Sequence, residues 1–176
     1  MKKALLFFLL FSLLLCGCSR TAETAPAPSA APEVPNCEPE TEYVSAFYFA
    51  TTDREGSEWD AGCFAGKKLT VLNFFEPWCV SCVEELPDLQ KLSEQFAGPD
   101  FQIFGVYLTE EGMDEVLAET GVRYPILHFV PELEFLASAY IPTTVFLDEH
   151  GELLAQLVGA QSYEALEATA TELLNR

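Results

Sequence analysis

Asn73-Phe74-Phe75-Glu76-Pro77-Trp78-Cys79-Val80-Ser81-Cys82 is the stretch on which the reading of this chain turns. Residues 69–75 form an apolar, branched and aromatic run of the kind that makes a buried strand. Beyond Pro77, residues 80–96 place apolar side chains at spacings of three and four, the pattern of an amphipathic helix. The Cys-x-x-Cys therefore stands where a strand feeds a helix. Cysteines at i and i+3 share one side of a helical turn and are close enough to join, and both can equally be thiols. Cys79 meets the unpaired N–H groups and positive dipole end of the helix, which favours its thiolate. In such motifs the thiol pKa falls to about 3.5–7.5, against about 8.5 for a free cysteine. Cys79 is thus the candidate nucleophile, and Cys82, one turn further in, the candidate resolving thiol.

Outward from this centre the chain alternates. Strands are expected over residues 43–50, 69–75, 101–108, 126–129, 143–147 and 152–158, and helices over 80–96, 112–120, 132–139 and 162–174. Asp148-Glu149-His150-Gly151 reads as the turn of a terminal hairpin. That order predicts an α/β domain at 41–176, with a mixed central sheet flanked by helices. No internal repeat is found. Pro87 should interrupt the helix that starts at Val80, because it lacks an N–H and its ring crowds the preceding turn.

The remaining residues read as an address. Met1-Lys2-Lys3 precedes the apolar run from Ala4 to Leu15, broken only by Ser12. Twelve residues make about 18 Å of helix, short of the roughly 30 Å hydrocarbon core, so this is a signal peptide. Leu15-Cys16-Gly17-Cys18-Ser19 resembles a bacterial lipobox, which places cleavage after residue 17 and lipidation on Cys18 rather than Cys16. The alternative is an ordinary secretory signal containing two cysteines. Residues 18–40 hold Pro26, Pro28, Pro32, Pro35 and Pro39 among Ala, Glu and Ser, and read as a tether. Fully extended, it would reach roughly 60 Å.

Charge narrows the partners. With 28 acidic and 9 basic side chains the formal charge is -19, and loss of Lys2 and Lys3 leaves 7 minus 28, or -21. Such a field repels polyanions, which argues against nucleic-acid binding and favours clients with basic patches. An apolar fraction of 49% with 21% charged residues excludes global disorder.

Several separated features together resemble the thioredoxin superfamily, and within it the membrane-tethered TlpA/ResA-type reductases. They are Asn-Phe-Phe before Trp78-Cys79-x-x-Cys82, Glu85 and Pro87 at the third and fifth positions after Cys82, Ile141-Pro142-Thr143, and Phe146-Leu147-Asp148 with Gly151. The resemblance spans residues 43–176. It implies a thioredoxin-like fold with an extra helix and strand within residues 101–140, ahead of the cis-proline strand. It also implies a cis Pro142 facing the dithiol, with Ile141 and Thr143 beside it contacting an extended substrate; the residues alone favour a trans proline that only starts a strand. Asn73 replaces the buried Asp of classical thioredoxin, which leaves Glu85 as the carboxylate for proton management; the alternative, on composition, is a solvated acid on the helix surface. Trp78 belongs either to an apolar docking surface or to the core, and Phe74 and Phe75 to the core. Ser81 can donate a hydrogen bond to a sulfur.

The resemblance further implies a monomeric enzyme of the bacterial cell envelope, lipid-anchored on the extracytoplasmic side and working without a cofactor. Its clients would be disulfides of exported proteins, among them cytochrome c apoproteins or methionine sulfoxide reductases, and its electrons would come from a membrane thiol-disulfide donor. Covalent haem attachment does not fit, since Val83 follows Cys82 where a His is required. A disulfide oxidase or isomerase would use the same dithiol. A zinc site would need ligands for which no second Cys-x-x-Cys or Cys-His pair exists, and the third alternative is a redox-inert lipoprotein. His128 and His150 have no second ligand at useful spacing and read as structural. Cys37 and Cys63 either pair as a second disulfide or remain a linker thiol and a packed one.

Overall fold

A computed structural model describes residues 44–176. The signal sequence, Cys16, Cys18, the tether and Cys37 lie outside the described residues. Among those described, no helix is long and apolar enough to cross a membrane.

The centre is β3 (Leu69–Phe74), all six residues of which are buried. It pairs in parallel with β4 (Phe101–Tyr107), which pairs in parallel with β5 (Ile126–His128). On its other side it pairs antiparallel with β6 (Thr143–Leu147), which pairs antiparallel with β7 (Leu153–Val158). The five-stranded order is therefore β5-β4-β3-β6-β7, a mixed sheet. The two-residue alternation of side chains sends Leu69, Val71, Ile103 and Phe146 into one apolar layer and Leu72, Phe74, Phe104 and Val145 into the other.

The first layer is completed by α1 (Val80–Gln95), α2 (Met113–Thr120) and α3 (Tyr163–Leu174), through Leu86, Leu89, Met113, Val116, Leu166 and Ala170. The second is closed by Phe49, by the 3-10 helix Ala61–Phe64 and by the 3-10 helix Pro131–Leu136. Each fully buried Leu or Phe contributes about 1.5–3 kcal/mol relative to an exposed one, so this double layer is what fixes the sheet. The segment containing α2 and β5 supplies the edge of the sheet beyond β4, as expected for an insertion ahead of β6.

Three expectations are corrected. Of the strand expected over 43–50, the described residues 44–49 are not in a strand and only Ala50 is: β1 (Ala50–Thr52) pairs with an unforeseen β2 (Glu58–Asp60). Upstream, Phe47 and Phe49 hold the chain by packing on Phe64 rather than by a ladder. The turn between β1 and β2 is organised by Asp53, whose carboxylate accepts from the Glu55 and Ser57 N–H groups and from Trp59 Nε1. The helix expected over 132–139 is the shorter 3-10 piece, because Leu133 and Leu136 are three apart and Pro131 sits at its start. α1 runs without interruption through Pro87, which lies on the exposed side of the helix.

The terminal hairpin turns where its Asp and Gly predict. Asp148 Oδ1 accepts from the N–H groups of His150 and Glu152, both at 2.8 Å, while Gly151 takes a left-handed φ of 79°. A Cβ at Gly151 would lie 2.9 Å from the Phe64 ring, so both conformation and space require glycine.

Candidate active site

β3 ends at Phe74, and after four intervening residues Cys79 caps the N-terminus of α1. Cys79 and Cys82 are joined as a disulfide with Cα atoms 5.2 Å apart. The backbone N–H of Cys82 donates to Cys79 Sγ at 3.3 Å, and the Ser81 hydroxyl lies 3.6 Å from the same sulfur. A sulfur in this position receives the orphan donors and dipole of the helix start, which stabilise negative charge on it. Cys79 retains 9% exposure and Cys82 none. Only Cys79 is open to a partner in this conformation.

The loop before β6 closes over this sulfur. The Ile141–Pro142 bond is cis, and Ile141 O lies 3.9 Å from Cys79 Sγ. Thr143 is buried, with its hydroxyl bonded to Tyr140 O. Trp78 is 68% exposed, which sets aside the core alternative for it; Val80, Leu108 and Tyr140 are exposed to a similar degree. Phe74 and Phe75 are buried at 4% and 1%, and both also line a cleft of about 150 Å³ that reaches Glu76, Leu108, Phe129 and Ile141. A larger depression of about 580 Å³ lies between the β1–β2 hairpin and β5 and includes none of these residues.

Beneath the disulfide, one turn beyond Cys82 on α1, Glu85 is 2% exposed. It is not a solvated surface acid. Asn73 Nδ2 donates to Glu85 Oε2 at 3.1 Å and to Thr144 Oγ1 at 2.9 Å, and the Gln161 N–H donates to Glu85 Oε1 at 2.8 Å. Burial pushes the carboxyl up to about 7, opposed by the hydrogen bonds from Gln161 and Asn73 and assisted by the nearby charge of Asp88. This group changes protonation close to neutrality, which suits it to exchange a proton with a thiol.

Sequence reasoning singled out the dithiol, Trp78, Glu85 and the Ile-Pro-Thr segment; the structure brings them together around the end of β3, the start of α1 and the start of β6. It missed Thr144 and Gln161, which ligate the Asn73–Glu85 pair. Gln161 acts through its backbone N–H and leaves no signal in the sequence. Glu76 was also missed: its two carboxylate oxygens accept from the N–H groups of Leu108 and Thr109, each at 3.0 Å, tying the loop after β4 to the approach to Cys79. His128 packs at a tilt against the Tyr107 ring, and His150 lies in the hairpin turn with its backbone N–H donated to Asp148. Cys63 is buried in the second apolar layer, and the question of its pairing rests on Cys37.

A helix-capping cysteine disulfide-bonded to a buried one, under a cis-proline loop and over a buried carboxylate, defines a thiol-disulfide oxidoreductase. The chain belongs to the Redoxin family, whose model matches residues 25–174. It is similar to the thiol-disulfide oxidoreductase ResA of Geobacillus kaustophilus (strain HTA426), with 29% identity over 125 residues, 68% of this chain and 70% of that protein. A thiol:disulfide interchange protein of the thioredoxin family from Chlorobium tepidum TLS has the same fold, with a TM-score of 0.65 and 23% identity over 77% of this chain and 99% of that one. So has the pneumococcal exposed lipoprotein thioredoxin Etrx1 of Streptococcus pneumoniae strain TIGR4, with a TM-score of 0.58 and 24% identity over 71% of this chain and 98% of that one. The fold is thioredoxin-like and the enzyme is of the ResA type.

Proposed function

We propose that this oxidoreductase runs as a reductase of disulfides in exported proteins, held outside the cytoplasmic membrane by a lipid on Cys18 and the tether at 18–40. In this reading the Cys79 thiolate attacks one sulfur of a client disulfide, forming a mixed disulfide and releasing the other client sulfur as a thiolate that takes up a proton. Cys82 passes its proton to Glu85 and attacks Cys79 Sγ. The client leaves with its second sulfur as a thiolate, which is protonated in turn, and the enzyme is left oxidised. A membrane thiol donor then returns two electrons. An extended client segment would lie along Ile141, Pro142 and Thr143, with apolar neighbours of its cysteine against Trp78 and Leu108.

The observation that carries this reading is the division of exposure between the two cysteines over a buried, near-neutral carboxylate. The lipobox at 15–19 supports the anchor, and the likeness to an exposed lipoprotein thioredoxin agrees with it. The trap is Cys82→Ser, which lacks the resolving thiol. Expressed as the full chain in a bacterial host, it should accumulate disulfide-linked adducts of envelope proteins, while Cys79→Ser should accumulate none. Redox titration decides the direction: a dithiol potential towards about -270 mV supports a reductase, and one near about -120 mV makes it an oxidase. Absence of adducts, or mass spectrometry showing an unlipidated Cys18, would remove the corresponding part of the proposal.

A further inference from the structure

The cleft of about 150 Å³ beside the dithiol opens where the parallel strands β3 and β4 end side by side. Phe74 and Val106, opposite each other in the register, are 4% and 1% exposed and give it an apolar lining at the strand ends. Ile141 lines it from the cis-proline loop, and the carbonyl oxygen of the same residue lies 3.9 Å from Cys79 Sγ. One residue thus belongs both to the cleft and to the surroundings of the reactive sulfur. Consecutive Cα atoms are about 3.8 Å apart, so a client cysteine held at Cys79 brings its sequence neighbour within reach of the cleft.

The polar groups that meet this cleft are already bonded. The Tyr107 hydroxyl donates to Glu110 and accepts from Arg54 at 3.3 Å. The strand-end backbone is paired as well, with the Phe75 N–H donating to Val106 O at 3.0 Å and the Phe129 N–H to Tyr107 O at 2.7 Å. Glu76 is the one charged residue of the lining, and its two carboxylate oxygens accept from the backbone N–H groups of Leu108 and Thr109, each at 3.0 Å. Charge-assisted bonds to two consecutive N–H groups fix the loop after β4 against the segment that leads to Cys79. Leu108 is thereby held as one wall of the cleft although 71% of it is exposed. An apolar cavity of about this volume takes up a benzene-sized group, and this one offers such a group contact area rather than hydrogen bonds.

We propose that this cleft is a side-chain subsite for a leucine- or phenylalanine-sized apolar residue adjoining the client cysteine, and that Glu76 is the positioning residue that holds its Leu108 wall in place. The inference rests on the reading of Cys79 as the nucleophile that attacks client disulfides and adds to it a preference among clients. Net charge steers a client from a distance, whereas this subsite selects by the residue beside the cysteine.

The test uses the full chain, reduced and held in detergent, in single turnovers against short peptides closed by an internal disulfide. In each peptide the residue before or after one cysteine is Ala, Leu, Phe or Asn. The second-order rate constants for the Leu and Phe peptides should exceed that for the Ala peptide about tenfold. Asn, close to leucine in size but without its apolar surface, should do no better than Ala. Ala137→Leu, which adds bulk to the lining, should bring the Leu-to-Ala ratio down to about twofold or less. Glu76→Ala should do the same and speed amide exchange at Leu108 and Thr109, while Glu76→Gln, which keeps one acceptor oxygen, should retain part of the preference. A ratio of rates cancels any general loss of activity in a variant. Equal rates for all the peptides would overturn the proposal, as would a preference that survives both Ala137→Leu and Glu76→Ala. If no peptide is reduced at all, the reductase reading falls and the subsite with it.

Discussion

The backbone N–H of Gln161 donates to Glu85 Oε1 at 2.8 Å, so a carboxylate on the first helix receives a hydrogen bond from the loop that leads into the last. This bond and the one from Asn73 at 3.1 Å are what keep a nearly inaccessible acid from being still harder to ionise. They do not fully compensate its burial, since the carboxyl remains raised from 4.5 to about 7. The protonated form therefore favours the folded state.

Stability should accordingly depend on pH in a defined window. Below the unfolded value of 4.5 the contribution of protonated Glu85 is fully present, and it is lost as pH rises through about 7. A shift of this size corresponds to on the order of 3 kcal/mol. Urea unfolding of the oxidised protein between pH 4.5 and 7.5 should show that decline, and Glu85→Gln should flatten it. Equal pH slopes for the two proteins would show that Glu85 carries no such linkage.

Trp78 offers a different kind of prediction. At 68% exposure its side chain contributes little to the core, and with Val80, Leu108 and Tyr140 it leaves an apolar rim around the one sulfur that is open to a partner. Trp78→Ala should change unfolding free energy by no more than about 0.5 kcal/mol. Its kcat/KM for reducing a protein disulfide should fall about 5- to 30-fold, equivalent to about 1–2 kcal/mol of lost client contact. With a small-molecule disulfide, which cannot span the rim, the loss should be far smaller. Equal losses on both substrates would point to the dithiol itself.

Gly105 is constrained by space rather than by conformation. An added methyl would meet Ile126 at 2.7 Å and Phe75 at 2.9 Å, inside a layer that has no room to give. Overpacking of this kind costs about 1–3 kcal/mol. Gly105→Ala should lose that much in chemical denaturation, and combining it with Ile126→Val, which withdraws the nearest atom, should recover part of it. If the double variant is as unstable as the sum of the two single ones, the clash with Ile126 is not the cause.

What the sequence made legible follows from how local each signal is. The strand-to-helix junction, the helices of α1, α2 and α3 and the Asp148–Gly151 turn are written in neighbouring residues, so periodicity and turn chemistry find them. Glu85 could be read in two ways until Asn73, Thr144 and Gln161 were seen around it, and those three come from elements 12 to 76 residues distant. Trp78 at a strand end was similarly undecided, because exposure is a property of the assembled loops. The β1–β2 hairpin escaped notice because its strands are three residues long and its turn is built by a side chain.

That side chain is Asp53, and it makes the hairpin testable. Its carboxylate is 5% exposed and accepts from Glu55 N–H at 3.0 Å, Ser57 N–H at 2.8 Å and Trp59 Nε1 at 2.8 Å. Trp59 in turn packs edge-on against Phe104 of β4, and Asp53 bridges to Leu127 of β5, so the turn joins the hairpin to the main sheet. Asp53→Ala would leave three donors unserved in a site with little access to water, at about 1–3 kcal/mol for each that stays buried. Opening of the hairpin to solvent would limit the total to about 2–4 kcal/mol. Amide exchange at Glu55, Ser57 and the β1–β2 ladder should then accelerate strongly while β3 and α1 remain protected, and the dithiol potential should be unchanged. Uniform acceleration across the sheet would show instead that the hairpin and the core unfold as one unit.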